Sequence, residues 1–187
     1  MPFEIMHFRG SDKIIKEKHM EKDIKVTLEY VADVLQGTIH RRELLRQALD
    51  EMDWRSNGNN DDLKILPNRR YMYKGVKRKV AIEGNFSAYE YILEGLFRLQ
   101  VGFDKGFIEA GVLMLTSFRS EKSSLGTSRE LAEAEVEMLY PTISMPVSIA
   151  LFDLGPPIIS NGEGETNDGS ISIPADDNET AKETDQN

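Results

Sequence analysis

The sequence predicts an α/β (α+β) fold, in which helices flank a mixed β-sheet, followed by an acidic tail. Helical and strand-like patterns alternate in the order helices, hairpin, helix, strand, helix, strand, which is typical of helices packed on a sheet. The 187 residues are 40% hydrophobic, enough for one ordinary core. After Gly155 the composition changes to small and acidic residues, which cannot bury enough apolar surface to fold.

The N-terminal part is predicted to contain a strand and one or two helices. Phe3–Phe8 has the pattern of a short strand, whereas residues 14–25 are charged and fit neither pattern. From Val26 onward, apolar residues recur at helical spacing, past a possible break at Gly37, to about residue 53. Trp54 follows and is expected to anchor the core.

A β-hairpin is predicted after the polar loop of residues 55–62. Its arms are residues 70–73 and 77–83, with a turn at Lys74 and Gly75. At least one of the large side chains in the first arm is expected to lie in the core.

Two helices and two strands complete the predicted domain. Capping-box pairs begin the helices, Ser87 with Glu90 for a helix that ends near Gly102, and Thr127 with Glu130 for a helix that runs to residue 139. Apolar residues at 107–115 and 142–151 indicate buried strands. The first helix has an apolar face that is expected to pack in the core, with a dimer seam as the alternative: Ile92, Leu93, Leu96, Phe97 and Val101.

Charge is distributed unevenly along the chain. Residues 156–187 contain eight acidic residues and one basic residue, so they carry most of the net charge of −9. We expect residues 1–155 to form one domain and residues 156–187 to be a disordered acidic tail. A nearly neutral domain can still bind a polyanion where its basic residues cluster.

Targeting features are absent from the sequence. There is no cysteine, which excludes disulfides and thiolate metal sites and is compatible with a reducing compartment. No signal-like N-terminus and no run of 18 apolar residues is present. We therefore expect a cytoplasmic protein that makes no use of a membrane.

The candidate site lies in the second hairpin arm. Side chains alternate along a strand, so Glu83 and Asn85 are expected to project from the same face. The preceding residues 63–82 contain no acid and seven bases, Lys64 and the candidate DNA-binding residues Arg69, Arg70, Lys74, Lys77, Arg78 and Lys79. A carboxylate at the edge of such a cationic field suits Mg²⁺ on a phosphate backbone.

Other chemistries lack support. The three histidines have no ligand spacing, and no phosphate-binding, dinucleotide-binding or serine-hydrolase motif is present.

Several segments together resemble one nuclease family. Residues 80–86, VAIEGNF, are similar to a strand reading V-A-x-E-V-Q-F, and residues 106–112, GFIEAGV, are similar to an I-D-x-G-I strand. With the order of the segments around them, the sequence resembles the BglII/BstYI group of type II restriction endonucleases, in the PD-(D/E)XK superfamily. The likeness covers most of residues 3–155.

The resemblance implies a restriction-endonuclease-like fold and a homodimeric, Mg²⁺-dependent endonuclease that hydrolyses double-stranded DNA. It implies that Glu83 binds the metal and that Asn85 orients the attacking water. The family's first metal-binding Asp has no counterpart in residues 70–74. Asp61 and Asp62 are the candidates to replace it, with Asp53, Glu90 and Glu109 as weaker ones. A cognate methyltransferase is a possible partner.

Two other functions stay open. The missing Asp favours a catalytically degenerate nuclease fold that binds DNA or a protein. The acidic tail could instead be the working part of an interaction module.

Overall fold

The fold was analysed in a computed structural model that describes residues 2–38, 40–55, 61–84, 86, 92–117 and 127–155. The strands are β1 (Phe3–Phe8), β2 (Gly75–Lys77), β3 (Val80–Glu83), β4 (Ala110–Thr116) and β5 (Val147–Phe152). The helices are α1 (Ser11–Glu17), α2 (Glu21–Leu35), α3 (Arg41–Glu51), α4 (Ile92–Asp104) and α5 (Arg129–Met138). A short 3₁₀ turn spans Asp61–Leu63. The predicted tail at 156–187 and the predicted Ser87–Glu90 capping box lie outside the described residues.

The strands form one mixed sheet in the order β1-β5-β4-β3-β2. Strands β3, β4 and β5 are parallel, while β1 and β2 pair antiparallel with β5 and β3 at the two edges. The parallel strands read as continuous apolar runs because both of their faces are covered. This confirms the predicted mixed sheet flanked by helices.

Two hydrophobic clusters lie on opposite faces of the sheet. Helices α1 to α3 cover one face, where Val80 and Ile82 of β3 pack with Trp54, which is fully buried as predicted. Helices α4 and α5 cover the other face, where Ala81 of β3 packs. Because side chains alternate along a strand, successive residues of β3 face opposite helical layers.

The hairpin turn differs from its prediction. Lys77 pairs with Val80, so the two-residue turn is Arg78 and Lys79, and both have positive φ, +50° and +61°. The predicted turn at Lys74 and Gly75 is wrong, because Gly75 begins β2 and packs so closely on Trp54 that a Cβ would lie 2.7 Å from the Trp54 Cβ. Close packing, rather than turn formation, accounts for this glycine.

Smaller differences concern the ends and outer faces of elements. The ambiguous residues 14–25 belong to α1, α2 and the three-residue link between them, and the last strand begins at Val147, five residues later than predicted. Ser128, not Thr127, caps α5 by accepting a hydrogen bond from the Leu131 backbone N–H. Tyr73 is buried, as expected for at least one large side chain of the first predicted hairpin arm. Leu93 and Phe97 of α4 are exposed rather than in the core. No helix in the described part of the chain has both the length and the apolarity that crossing a membrane requires.

Candidate active site

Glu83 is the last residue of β3 and faces the layer of α4 and α5. Its side-chain direction follows from Ala81, two residues earlier, which packs against these helices. The glutamate is only 2% exposed. Burying a carboxylate is costly unless a charge or hydrogen bonds compensate it, so the surroundings of Glu83 indicate what the site can do.

Arg98 of α4 provides the opposite charge. Its Nη2 lies 3.4 Å from Glu83 Oε1 and donates a hydrogen bond of 2.5 Å to the backbone oxygen of Met72. The guanidinium also lies 4.0 Å from Glu94, one helical turn earlier. One side chain of α4 thus links the end of β3 to the segment before β2.

Tyr73 completes this cluster. It is 1% exposed, and its hydroxyl donates to the backbone oxygen of Arg98 at 3.3 Å. Burial raises the pKa of Tyr73 well above its ordinary value, and the nearby Glu83 charge raises this pKa further while Arg98 lowers it. The phenol therefore stays protonated at neutral pH and acts as a hydrogen-bond donor.

Two glycines of α4 let the helix approach the sheet near Arg98. A Cβ at Gly95 would lie 2.4 Å from Leu113 Cδ1, and one at Gly102 would lie 1.7 Å from Tyr73 Oη. Arg98 and Tyr73 are site residues that sequence-based reasoning missed. The sequence signal that could have identified Arg98 is its position as the single basic residue of an apolar helix. Glycines lie three residues before it and four residues after it.

The strand geometry does not extend to Asn85. Strand β3 ends at Glu83, and Gly84 has a φ of +118°, which breaks the alternation of side chains. A Cβ at Gly84 would lie 2.2 Å from the Met114 backbone oxygen, so glycine is required there. Strand alternation therefore supports no placement of residue 85 beyond Gly84, and the Asn85 assignment stays a prediction. Residue 85 itself lies outside the described residues.

Asp62 is placed at the other end of the hairpin. It is exposed and lines an open cavity of about 790 Å³ together with Asp53 and the turn residues Arg78 and Lys79. The residue after Asp62, Leu63, accepts a hydrogen bond of 2.8 Å from the backbone N–H of Tyr73. The pairing of Asp62 with Glu83 stays a prediction. The side chain of Asp61, the other candidate, lies outside the described part of the chain, as does Glu90.

The predicted DNA-binding bases divide into two sets. Three are held by the protein itself: Lys77 Nζ lies 3.1 Å from Asp23, Lys79 Nζ lies 3.5 Å from Glu109, and Arg78 donates to the backbone oxygen of Lys18 at 3.2 Å. Arg69 and Arg70 are exposed, and Lys74 is half-buried. Lys74 also donates its backbone N–H to Ile82, directly beside Glu83. This lysine lies in the arm where the resembled family has its first metal-binding Asp.

The described residues do not by themselves fit a Mg²⁺ ion. Within them, no group of three or more acidic or histidine side chains could hold a metal. Glu83 faces the guanidinium of Arg98, and Glu109, a weaker candidate, is paired with Lys18 at 2.6 Å and with Lys79.

Comparison with known proteins gives a structural match only. No known protein family and no curated protein matches the sequence. Among solved structures, the restriction endonuclease BglII in complex with a DNA 16-mer matches with a TM-score of 0.58 and 16% identity, over 82% of this chain and 77% of that one. Free BglII matches with a TM-score of 0.51 and 18% identity, over 81% of this chain and 79% of that one.

This chain has a BglII-like fold. The resemblance found in the sequence is confirmed at the level of architecture, and the BglII-like sheet is the one that presents Glu83 to α4.

Proposed function

We propose that this protein is a nuclease of the restriction type that acts on double-stranded DNA. The observation that carries the proposal is the buried Glu83 carboxylate at the end of a central strand in a fold shared with BglII, a protein solved with DNA. Buried charged groups of this kind concentrate at functional sites. The proposal includes a Mg²⁺ requirement, with Glu83, Asn85 and Asp61 or Asp62 as the residues to test.

The proposal also includes a homodimer. Leu93 and Phe97 lie one turn apart on α4 and are 52% and 59% exposed, so a second copy could cover them. A cytoplasmic location and a cognate methyltransferase belong to the same proposal, since a cell that contains a restriction nuclease must protect its own DNA.

The described residues around Glu83 orient its carboxylate. Arg98 and the backbone N–H of Gly84, which lies 3.4 Å from Glu83 Oε2, hold the carboxylate in one direction. Tyr73 keeps α4 in contact with the segment before β2 through its bond to the Arg98 backbone. A carboxylate fixed in this way could accept a proton from an attacking water or bind a cation that neutralises the phosphate.

Cleavage of a large DNA of mixed sequence tests the proposal. We expect the wild-type protein to produce discrete fragments with Mg²⁺ or Mn²⁺, and Glu83→Gln to cut at least about 100-fold more slowly, since several kcal/mol of transition-state stabilisation are lost. Glu133→Gln is the matched control, because it removes an exposed, ion-paired carboxylate on α5 that is not a candidate site residue. Absence of cutting by the wild-type protein under every metal and salt condition would contradict the proposal.

A second candidate is a nuclease fold that binds DNA without cutting it. Two observations favour it: Glu83 already has a protein cation, and Lys74 occupies the arm where an acid is expected. DNA retention should then be unchanged by EDTA.

Salt dependence locates the DNA-binding surface in either case. Neutralising Lys77, Arg78 and Lys79 to Gln should lower the slope of log K against log salt by up to about 0.9 for each phosphate contact that is lost. Lys25→Gln, on the exposed face of α2, is the control. An unchanged slope in the triple variant would show that the hairpin turn does not contact DNA.

A further inference from the structure

We propose that the outer edge of β1 is an interaction surface and that its occupant is β1 of a second copy of this chain. Strand β1 is one of the two edge strands of the sheet. The pairing joins the five-stranded sheets of two molecules into one continuous sheet. The inference goes beyond the proposed function, and its tests do not depend on DNA cleavage.

The hydrogen bonds to β5 decide which backbone groups of β1 face outward. The Asp153 backbone N–H donates to the Pro2 oxygen at 3.0 Å, so the carbonyl of residue 2 faces the β5 side. In an antiparallel pair, residues that exchange hydrogen bonds alternate with residues whose N–H and C=O groups point away from the partner strand. The residues of β1 whose backbone groups point away from β5 are therefore Phe3, Ile5 and His7.

These outward groups have no partner among the described residues. In that part of the chain, neither a backbone group nor a side chain bonds to them. The opposite edge of the sheet is covered, since Val76 of β2 donates its N–H to the Trp54 oxygen at 2.8 Å. Arg55 Nη1 also donates to the Lys74 oxygen there, at 2.8 Å. The fold thus closes one edge and leaves the other open.

Strand β1 lacks the features that usually block an open edge. Its six residues include no lysine and no proline, and its register with β5 is continuous, without a bulge. Exposed edges without such features readily pair with another strand. The backbone of β1 therefore offers a surface for strand addition.

The sequence of β1 is self-complementary about Ile5, which favours a second copy as the occupant. When two copies pair antiparallel with Ile5 opposite Ile5, Phe3 lies opposite His7 of the second copy. All three outward residues then exchange hydrogen bonds, about six in total. Glu4 lies opposite Met6, so no like charges face each other, whereas a register centred on Glu4 would place two carboxylates opposite each other.

This pairing is separate from the homodimer proposed through α4. Helix α4 packs on β3 and β4, and β5 lies between β4 and β1. Because the two copies of β1 run antiparallel, the two copies of β3 also run in opposite directions. Glu83 ends β3, so the two Glu83 residues lie at opposite ends of the joined sheet. The edge pair therefore joins two molecules whose Glu83 sites face away from each other.

A single introduced cysteine tests the pairing and its register. The chain has no cysteine of its own. In the proposed register the two Ile5 Cα atoms lie about 5.5 Å apart, within the range of about 4.4–6.8 Å that a disulfide spans. We therefore expect the full-length Ile5→Cys variant to form a disulfide-linked dimer under mild oxidation, seen by non-reducing gel electrophoresis.

His7→Cys is the matched control for this cross-link. Residue 7 lies on the same face of β1 as Ile5 and is more exposed, so random collisions would oxidise it faster. In the proposed register its two Cα atoms are about 14 Å apart, since they are offset by four residues along the strands. His7→Cys should therefore stay unlinked. The Ile5→Cys link should form equally well when Leu93 and Phe97 of α4 are both replaced by Gln.

Removal of the outward N–H of Ile5 tests the hydrogen bonds. Ile5→Pro deletes an N–H that faces away from β5, so the bonds between β1 and β5 are kept. The pair loses two hydrogen bonds, one from each copy. With Leu93 and Phe97 replaced by Gln, so that α4 does not contribute, sedimentation equilibrium should show that Ile5→Pro raises the dissociation constant at least about tenfold.

Any of four results would overturn the inference. The first is an Ile5→Cys protein that stays unlinked or links no faster than His7→Cys. The second is a link that is lost when Leu93 and Phe97 are replaced, because α4 alone would then bring the copies together. The third is a protein with Leu93 and Phe97 replaced that is monomeric at every concentration. The fourth is an Ile5→Pro variant, folded by circular dichroism, that associates as tightly as its parent.

The cysteine variants decide the inference if Ile5→Pro does not fold. The proposed nuclease function is decided separately, by cleavage with wild-type protein, so the failure of either leaves the other standing.

Discussion

Replacement of Lys79 by Gly and by Ala tests the position of the hairpin turn. Lys79 has a φ of +61° in the two-residue turn between β2 and β3. The left-handed conformation costs a non-glycine residue about 1 kcal/mol of folding free energy, whereas it costs glycine essentially none. Both variants lose the same ion pair to Glu109, which is 3.5 Å long with side chains 58% and 47% exposed and is therefore worth about 0.5 kcal/mol at most.

The expected result is a difference in sign between the two variants. Lys79→Gly should be more stable than Lys79→Ala by about 1 kcal/mol, or about 2–4 °C in melting temperature for a protein of this size. It should be more stable than wild type by about 0.5 kcal/mol, the left-handed cost less the ion pair. Urea unfolding followed by the fluorescence of the buried Trp54 is a suitable assay.

The reasoning would be refuted by the opposite order. If Lys79 lay inside a strand, as the sequence-based hairpin with residues 77–83 in one arm requires, Gly would be less stable than Ala by about 0.5–1 kcal/mol. The same variants also separate backbone from charge in DNA binding. They remove the same lysine, so a phosphate contact made by Lys79 should lower the salt slope equally in both.

Two further predictions concern the ion pairs and the packing around the site. The Lys18 ammonium, with a smaller contribution from Lys79, holds the pKa of Glu109 below its ordinary value of 4.5. This pair therefore contributes stability above about pH 4.5 that is lost as the pH falls through the lowered pKa of Glu109. The melting temperature of Glu109→Gln should lie below that of wild type at pH 7 and converge with it in acid. Gly102→Ala should cost about 1–3 kcal/mol in urea unfolding, because its Cβ would lie 1.7 Å from Tyr73 Oη. Adding Tyr73→Phe should restore part of that loss, and a Gly102→Ala variant as stable as wild type would contradict the observed closeness of α4 to the sheet.

The sequence alone was sufficient to predict the mixed sheet and to nominate Glu83 as the residue to test. Apolar periodicity and capping residues depend on neighbours a few positions away, so they placed Phe3–Phe8, helices α2 to α5 and the buried β3 close to where they are found, whereas α1 was not predicted. Glu83 could be selected because it is an acid that ends an apolar strand after a long basic segment. These features belong to local chemistry, which a single chain displays.

Tertiary structure decided which groups surround Glu83 and where the hairpin turns. Arg98 comes close to Glu83 only because glycines let α4 approach the sheet, and the two residues are 15 positions apart in the sequence. Gly75 has the composition of a turn residue but is required for packing against Trp54, so the turn falls at Arg78 and Lys79. Close packing and charge pairing between distant segments depend on the complete fold, so the local sequence pattern does not predict them.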